Sequence, residues 1–578
     1  MNKKILYTVF QMLSPSQRRE GMNITVLLCI SSLLDFFSLA FFLPIILLVL
    51  NPDYALKNEY LLSLYRITGF TDHTYFAMSI TSAVILFVLI KTQITRWIVH
   101  QKARYAYHIA NDLADRTLDQ YFRFSYSQFT NGDYSKQSNR ITNLPLTFAN
   151  NIIIPAGTIL SESIVALLLF TGILIFNSRA FIFLAVIVAP LLAIYSVKRK
   201  KLKHISEKIK STYPLLLKYT MQSVEGWAEI KSLHKKDYFK KKFTSQHKAL
   251  TTIFTDAHLT NTSPARVTEL IAAWCIGSLI IYSLWSRQPY QQTLVLLSVY
   301  AGVSFRVIPS LNRIFAALLQ IKTHEYVVQE LSQCMPLPKE PPQKNTSVSF
   351  TEEIQLSGIS FGHPHQPLLL NGISLRIQKG ERVVITGKSG SGKTSLLLIL
   401  LQFIKPSKGE IYIDKIPLNE RAISSWQKWI GYIPQQPYIL DGSIKENIAF
   451  GIAAHEIDEE KIKQAADQAE ISGWIATLPE GINSLLGEKG AKISGGQRQR
   501  IAIARALYHD AVILLMDEST NQLDAETESE ITHTLLQRLS PQKTIIMVSH
   551  KEKQWEHFDH VYELSEGRLE KRHHSVLI

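Results

Sequence analysis

Apolar residues are concentrated in the first 315 positions of the chain, where they form six long stretches. Most of these stretches approach or exceed the roughly 20 residues that a membrane-spanning helix needs. They comprise residues 23–50, 75–96, 152–176, 180–197, 267–285 and 291–311. The fourth stretch is short, but the turn Asn177–Arg179 joins it to the third as a hairpin. The pattern therefore predicts an α-helical membrane domain with six transmembrane helices.

Two long polar stretches, 97–150 and 198–265, lie between these runs and contain few turn residues. Their helical periodicity predicts that they extend the spanning helices into the cytoplasm. Lys and Arg are frequent in them and near the N-terminus but few in the outer connections, which predicts cytoplasmic termini. The N-terminal run ILYTVFQML is short and has no cleavage site, so we expect an interfacial helix rather than a signal peptide.

A proline- and lysine-containing linker, MPLPKEPPQKNTS at 335–347, marks a domain boundary. It separates the predicted membrane domain, 1–334, from a second domain over 348–578. In that second domain, GKSGSGKT at 387–394 lies between a predicted strand, ERVVIT, and a predicted apolar helix, SLLLILLQF. Strand, glycine-rich loop and helix form the context in which this motif binds phosphate.

The loop predicts a nucleotide site because its backbone N–H groups and the helix N-terminus attract phosphate oxygens. Lys393 is expected to reach the β- and γ-phosphates, and the Thr394 hydroxyl to bind Mg²⁺. The predicted ATP contacts in this segment are Gly387, Lys388, Ser389, Gly390, Ser391, Gly392, Lys393, Thr394 and Ser395.

A second motif, VILLMDE at 512–518, is an apolar strand that ends in two carboxylates. This is the form of a Walker B segment. Asp517 is expected to hold Mg²⁺, and Glu518 is placed to act as the general base on the attacking water.

Further motifs occur at GYIPQQ (431–436), ISGGQRQR (493–500), NQLD (521–524) and His550. With them, the chain from about residue 350 onward resembles the nucleotide-binding domain of ABC transporters, an α/β P-loop ATPase. SGGQ is the most specific motif, since P-loop proteins at large lack it. The resemblance implies that Gln435 is the Q-loop residue, acting in catalysis and at Mg²⁺, and that His550 is the switch histidine.

The resemblance also implies a signature and a D-loop that contact ATP. These residues are Ser494, Gly495, Gly496, Gln497 and Asp524. Two departures from the family occur. His363 stands where relatives stack a tyrosine on adenine, which predicts a weaker contact with the base. NQLD stands where many relatives have SALD. It keeps the aspartate and loses the small residue.

The six apolar stretches resemble the membrane domain of type I ABC exporters, fused ahead of its ATPase as a half-transporter. The regions near 118–135 and 222–235 are then expected to be coupling helices, although Trp227 and Ile230 also fit a local hydrophobic cluster. In this family the ATP site is split between two subunits. Both halves of that site are present, which implies a homodimer, with a heterodimer as the alternative.

Ionisable residues inside spanning segments are costly and mark a pathway by default. They are Asp35, Lys91, Glu162, Glu269, Arg306 and Arg313. Arg306 and Arg313 lie two helical turns apart on one face. With Lys91 they predict a basic lining suited to phosphate or pyrophosphate. The alternative is that the two arginines meet lipid headgroups.

FRVIPSLNRI (305–314) and LLDFFSLAFFLP (33–44) resemble segments of exporters that flip polyprenyl-pyrophosphate-linked oligosaccharides. The predicted function is therefore ATP-driven export or flipping of a lipid-linked or amphipathic substrate across the inner membrane. A drug or peptide exporter on the same architecture is the alternative.

Charge, apolar content and cysteine spacing argue against a few further classes of function. The net charge of +14 does not indicate nucleic-acid binding, because its lysines and arginines lie at cytoplasmic flanks without an aromatic-interleaved basic repeat. The six apolar stretches also exclude a soluble ABC-type switch on nucleic acid or ribosomes, unless these stretches form core helices. Cys29, Cys275 and Cys334 lie too far apart to predict a metal cluster or a disulfide framework.

Overall fold

The structure is a computed structural model that describes residues 3–41, 63, 65–66, 73–176, 178–285, 290–333, 347–363, 366–517, 543–550 and 552–572. The chain divides into two compact units. The first comprises Met1–Phe124 with Asn131–Leu337, and the second comprises Ser125–Thr130 with Pro338–Ile578. Residues 335–346 of the predicted linker lie outside the described residues.

The first unit is helical throughout its described residues. Its helices are α1 (Lys3–Met12), α2 (Pro15–Ala40), α3 (His73–Phe122), α5 (Tyr134–Phe148), α6 (Ile154–Phe176), α7 (Ser178–Glu225), α8 (Trp227–Ser232), α9 (Lys236–Trp285), α10 (Tyr290–Thr323) and α11 (Glu325–Ser332). Helix α4 (Tyr126–Thr130) belongs to the second unit. A π-helical turn, Ala149–Ile153, joins α5 to α6.

Three segments of the described chain are long and apolar enough to cross a membrane. They are Pro15–Ser38, Thr74–Phe122 and Tyr134–Gly172. Each predicted apolar stretch lies on a helix wherever it is described, but residues 42–50 of the first lie outside the described part of the chain. The count of six spans therefore stays a prediction.

The polar stretches continue the apolar ones without a break. Helices α3 and α9 each run for 50 residues and α7 for 48. At 1.5 Å per residue, such a helix is about 75 Å long, more than twice the thickness of a bilayer core. On α3 the apolar half exposes Leu86, Leu89 and Ile90, the face expected to meet lipid.

The second unit contains two sheets. Their strands are β1 (Glu353–Phe361), β2 (Leu370–Gln378), β3 (Arg382–Thr386), β4 (Lys408–Ile413), β5 (Ile416–Pro417), β6 (Ile430–Ile433), β7 (Ile513–Asp517), β8 (Thr544–Val548), β9 (His560–Ser565) and β10 (Arg568–Arg572). One sheet is antiparallel in the order β2-β1-β4-β5, and the other has the order β10-β9-β3-β8-β7-β6. In the second sheet β6, β7, β8, β3 and β9 are parallel.

Short helices flank these sheets. They are α12 (Lys393–Leu400), α13 (Ile423–Gln427), α14 (Ile444–Ile448), α15 (Glu459–Gln468), α16 (Ser472–Ala476) and α17 (Gly495–Tyr508). Strands β7 and β8 are buried at every residue, which explains their continuous apolar sequences. The predicted strand 381–386 and helix 395–403 are found as β3 and α12, with α12 starting two residues early at Lys393.

Candidate functional site

The predicted site residues follow the carboxyl ends of adjacent parallel strands. Gln435 comes two residues after β6, Asp517 ends β7, His550 comes two residues after β8, and the glycine-rich loop follows β3. The registers that align these ends are Ile433 with Met516, Asp517 with Val548, and Ile385 with Val548. Ligands of open parallel sheets bind at this edge. The fold therefore gathers motifs that lie more than 100 residues apart.

Glycines shape the loop because the backbone leaves no room for side chains. Gly387 has φ +146°, and a Cβ there would lie 2.3 Å from the carbonyl oxygen of Leu564. Gly392, with φ +104°, precedes α12, and its Cβ would lie 2.8 Å from Leu370 Cδ2. These positions free the loop's N–H groups and the start of α12 to face an anion.

The polar side chains of the loop fit a phosphate ligand. Lys393 is 5% exposed, and its Nζ donates to the carbonyl oxygens of Gly387 and Lys388, each at 3.0 Å. The hydroxyl of Ser391 is buried without a hydrogen-bond partner in the described part of the chain. Buried polar atoms without partners are uncommon, and phosphate oxygens would satisfy this one. The residues present therefore fit the nucleotide that the motif predicts.

Thr394 and Asp517 meet across the loop. The Thr394 hydroxyl donates to Asp517 Oδ1 at 3.1 Å, and Asp517 is 5% exposed. Two oxygen ligands that converge in this way fit Mg²⁺, which uses one or two carboxylates together with substrate phosphates and water. In the described residues no group of three or more His, Cys, Asp or Glu could hold a metal by itself. The oxygen set thus fits a metal shared with ATP.

The remaining predicted catalytic residues are placed only in part. Gln435 and His550 are exposed at the same edge of the sheet. Next to them, burial and then the Asp517 carboxylate raise the pKa of Tyr432, so its hydroxyl stays neutral. Glu518 and Asp524 lie outside the described residues.

His363 adjoins the loop through the strand pair β1–β2. Phe361 pairs in register with Leu370, the residue that packs against Gly392. The exposed His363 ring meets the Phe361 ring edge-to-face, with their centroids 5.3 Å apart. The end of β1 that precedes His363 therefore lies next to a residue that borders the phosphate loop.

The signature opens helix α17 with a capping box. Ser494 Oγ accepts a hydrogen bond from the Gln497 N–H at 3.2 Å, and Gln497 Oε1 accepts one from the Ser494 N–H at 2.9 Å. Ser494 is exposed, and Gly495 and Gly496 follow it in the first helical turn. The described contacts of Ser494 and Gln497 are thus local, and they leave the start of α17 open on the surface of this unit.

Arg505, on the same helix, is a site residue that sequence reasoning missed. Its guanidinium donates to the carbonyl oxygens of Asn447 at 2.9 Å and of Tyr438 at 3.0 Å, and lies 4.5 Å from the Phe450 ring centroid. Burial lowers its pKa to about 10. Arg505 therefore ties the signature helix to the segment after Gln435. Its only sequence signal is one arginine inside the apolar run IAIARAL.

Helix α4 lies within the predicted coupling region 118–135. In the second unit the Tyr126 ring stacks on Phe403, with centroids 6.2 Å apart and planes 12° from parallel. Helix α8 lies within the other predicted region, 222–235. It has no buried residue, and Trp227 is exposed, so α8 does not form a buried local cluster.

The predicted substrate-pathway residues form ion pairs inside the helical unit. The Asp35 carboxylate of α2 forms ion pairs with Lys91 Nζ of α3 at 2.5 Å and with Arg306 Nη2 of α10 at 2.6 Å. Arg313 bonds instead to Glu162 of α6 at 2.7 Å. The three predicted cations therefore belong to an acid–base network with Asp35 and Glu162. The sequence shows which residues are charged, but it does not show which carboxylate each cation pairs with.

Glu162 has a second partner. The Ser310 hydroxyl donates to its Oε2 at 2.6 Å, and Glu162 itself is 9% exposed. Glu269, the last of the six predicted pathway residues, is exposed on α9. Two of the acids predicted to mark a pathway thus act as counter-ions that join helices.

Comparison with known proteins places these observations in a family. The family model described as ABC transporter matches residues 370–521. An ATP-dependent lipid A-core flippase of Saccharophagus degradans is 30% identical over 400 residues, which cover 68% of this chain and 66% of that protein. The chain belongs to the ABC transporters. Its second unit is the ATP-hydrolysing domain of that family.

Two further likenesses extend over most of the transporter. An ATP-dependent lipid A-core flippase of Syntrophus aciditrophicus is 26% identical over 509 residues, covering 86% of this chain and 82% of that protein. The solved structure of a bacterial Atm1-family ABC exporter with ATP bound superposes with a TM-score of 0.76 at 19% identity. That match covers 96% of this chain and 95% of the exporter chain. The transporter therefore has the ABC exporter fold, a helical N-terminal region followed by an ABC ATPase domain.

Proposed function

We propose that this transporter is a homodimeric half-transporter of the inner membrane that uses ATP to flip an anionic, lipid-linked substrate. The observation that carries the proposal is the network in which Asp35 joins Lys91 to Arg306 across three apolar helices. A charged cluster inside spanning helices is costly, and it persists where it serves a polar substrate.

The charge of this network favours an anionic substrate. Two cations share one carboxylate, which leaves one positive charge, and Nε of Arg306 is buried with no hydrogen-bond partner among the residues that the structure describes. Arginine binds phosphate through paired N–H groups, and lysine adds a point charge. The lipid A-core flippases named above act on a lipid. We infer a lipid that carries phosphate or pyrophosphate, and lipid-linked oligosaccharides belong to this class.

The ATPase roles follow from the residues at the edge of the sheet. Lys393 would bind the β- and γ-phosphates, Glu518 would accept a proton from the attacking water, and His550 would contact the γ-phosphate. Thr394, Gln435 and Asp517 would hold Mg²⁺, which supplies neutralisation of charge on the phosphates when it is bound. His363 would stack on adenine.

A second copy of the chain would complete each ATP site. The exposed start of α17 leaves the signature open to the phosphate loop of another subunit. Two ATP molecules would then close the ATPase dimer and turn the membrane cavity of six helices per subunit outward. Hydrolysis would reset it, with α4 and α8 as coupling helices.

The experiment is ATP hydrolysis by the full-length protein in liposomes, titrated with a polyprenyl-pyrophosphate oligosaccharide and with a panel of amphipathic drugs. Glu518→Gln provides the inactive blank. We expect stimulation by the pyrophosphate lipid, lost in Arg306→Ala and kept in Lys203→Ala, a change at an exposed lysine of α7. Stimulation by drugs alone would assign the protein to drug export instead.

A further inference from the structure

A cavity of about 50 Å³ lies within the helical unit, between α5, α7 and α11. It is lined by Lys136 and Arg140 of α5, Lys210 and Tyr213 of α7, and Tyr326 and Glu330 of α11, among others. One water molecule needs a cavity volume of about 10–15 Å³, so this cavity has room for several waters or one small ligand. All three helices belong to the predicted cytoplasmic extensions or to the segment after α10.

The cavity is basic although it contains a carboxylate. The Glu330 side chain is 6% exposed. Its carboxylate forms ion pairs with Arg140 Nη2 at 2.6 Å and with Lys210 Nζ at 2.9 Å. Burial disfavours ionisation of Glu330, but the bonds from Lys210 and Arg140 outweigh it and lower its pKa. Lys136 has no ion pair with any residue that the structure describes. Three cations therefore line the cavity beside one anion, a surplus of two positive charges, of which that of the exposed Lys136 also meets solvent.

Hydrogen-bond donors remain after these pairs have formed. Each lysine carries three N–H donors and the guanidinium carries five, more than Glu330 and Gln333, which also accepts from Arg140 at 2.8 Å, can take. Tyr213 and Tyr326 add hydroxyl groups, and burial raises the pKa of Tyr326 to about 12, so its hydroxyl stays protonated. The cavity thus combines unused donors with uncompensated positive charge.

We propose that this cavity is a binding site for a phosphate-class anion, separate from the ATP site. The anion would offset the surplus charge and accept hydrogen bonds from Lys136, Lys210 and Tyr213. Since Glu330 already holds α5 and α7 to α11, an anion beside it would stabilise the same three-helix junction. Its source could be a free phosphate ion or the phosphate of a lipid headgroup, because both present the same oxygens.

The test measures the unfolding temperature of the full-length protein in neutral detergent. Sodium phosphate is titrated against sodium chloride at matched ionic strength. A bound anion stabilises the folded state by an amount that grows logarithmically with its concentration relative to Kd, so phosphate should raise the unfolding temperature above the chloride control. Lys136→Gln removes a donor without leaving Glu330 unpaired, and it should weaken the apparent phosphate affinity about tenfold. Tyr213→Phe is a second, milder variant, and Lys203→Gln on α7 is the matched control.

Lys393→Ala separates this site from the phosphate loop. The phosphate-specific shift should persist in Lys393→Ala and decrease in Lys136→Gln. A shift that disappears in Lys393→Ala but survives in Lys136→Gln would overturn the proposal, as would a shift equal to that in chloride. The same variants are then compared in nanodiscs of phosphatidylcholine with and without phosphatidylglycerol. Stabilisation by phosphatidylglycerol alone, sensitive to Lys136→Gln, identifies the headgroup as the source, and stabilisation by phosphate alone identifies the free ion.

Discussion

The Thr394 hydroxyl donates a hydrogen bond to Asp517 across 3.1 Å. This contact joins the first turn of α12 to the last residue of β7, which are 123 positions apart in the chain. It links the two halves of the proposed Mg²⁺ site through protein atoms. Neither motif contains this information by itself, because the distance is determined by the order of the strands in the sheet.

The Thr394 hydroxyl should be needed for turnover, and its methyl group should not. Thr394→Val removes the oxygen that would bind Mg²⁺, and we expect kcat for ATP hydrolysis to fall by about a hundredfold, since a metal contributes several kcal/mol. Thr394→Ser keeps the oxygen and should retain most activity. Steady-state hydrolysis at varied Mg²⁺ checks this, and equal rates in the two variants would contradict the assignment.

Glu518→Gln should separate binding from hydrolysis. The amide cannot accept the proton of the attacking water, so turnover should fall by about 10²–10⁴-fold while ATP affinity stays unchanged. Lys393→Ala should instead weaken ATP binding, because the ammonium that would reach the phosphates is lost. Binding of a fluorescent ATP analogue and phosphate release measure the two effects. Full turnover in Glu518→Gln would show that another residue is the base.

The Arg313–Glu162 pair offers a test of the membrane network. Arg313→Gln leaves the buried Glu162 carboxylate with the Ser310 hydroxyl as its remaining described hydrogen-bond partner. Because the Arg313 side chain is 45% exposed, its loss should cost about 1–2 kcal/mol, less than the loss of a partner in a fully buried pair. Replacing both, in Arg313→Gln with Glu162→Gln, should recover most of the stability. Unfolding temperatures of the two single variants and the double variant measure this coupling, and purely additive losses would show that the pair does not interact.

Asp414 should make the folding stability of the ATPase domain depend on pH. Its carboxylate accepts the N–H groups of Thr351, Glu352 and Glu353 and the Thr351 hydroxyl, at 2.7–2.9 Å. Burial disfavours the charge, but these bonds outweigh it and lower the pKa of Asp414.

Because the folded pKa is below the unfolded value of about 3.9, the stabilisation is present above that value and lost as pH falls through the folded pKa. In Asp414→Asn, the asparagine tolerates the left-handed backbone at φ +49° but carries no charge. It should cost about 2 kcal/mol near neutral pH and little in acid, as scanning calorimetry would show. A pH-independent difference would contradict this account.

The stacked rings of Tyr126 and Phe403 should matter for transmission and not for catalysis. Tyr126→Ala removes the aromatic surface, so we expect basal ATPase activity to remain while stimulation by transport substrate falls. Tyr126→Phe keeps the stack and should behave like the unchanged protein. Basal and stimulated ATP hydrolysis in liposomes separate these outcomes. Loss of basal activity in Tyr126→Ala would assign it a structural role.

Much of this protein could be predicted from local sequence. The positive φ values at Gly387 and Gly392 suit glycine alone, so the phosphate loop can be recognised from its spacing. The continuous apolar residues of β7 and β8 reflect burial on both faces, which a short window of sequence already contains. The length of the apolar stretches likewise predicted long helices, because bilayer thickness determines helix length.

Tertiary structure decided which distant side chains meet. Asp35 reaches both Lys91 and Arg306 only because α2, α3 and α10 pack with those residues at one level, and the sequence gives no helix rotation. Arg505 was missed for the same reason, since its partners are backbone carbonyls about 60 residues away. Periodicity and motif order are local properties of a chain. Counter-ions and anchoring contacts depend on packing between segments, and the structure alone supplies it.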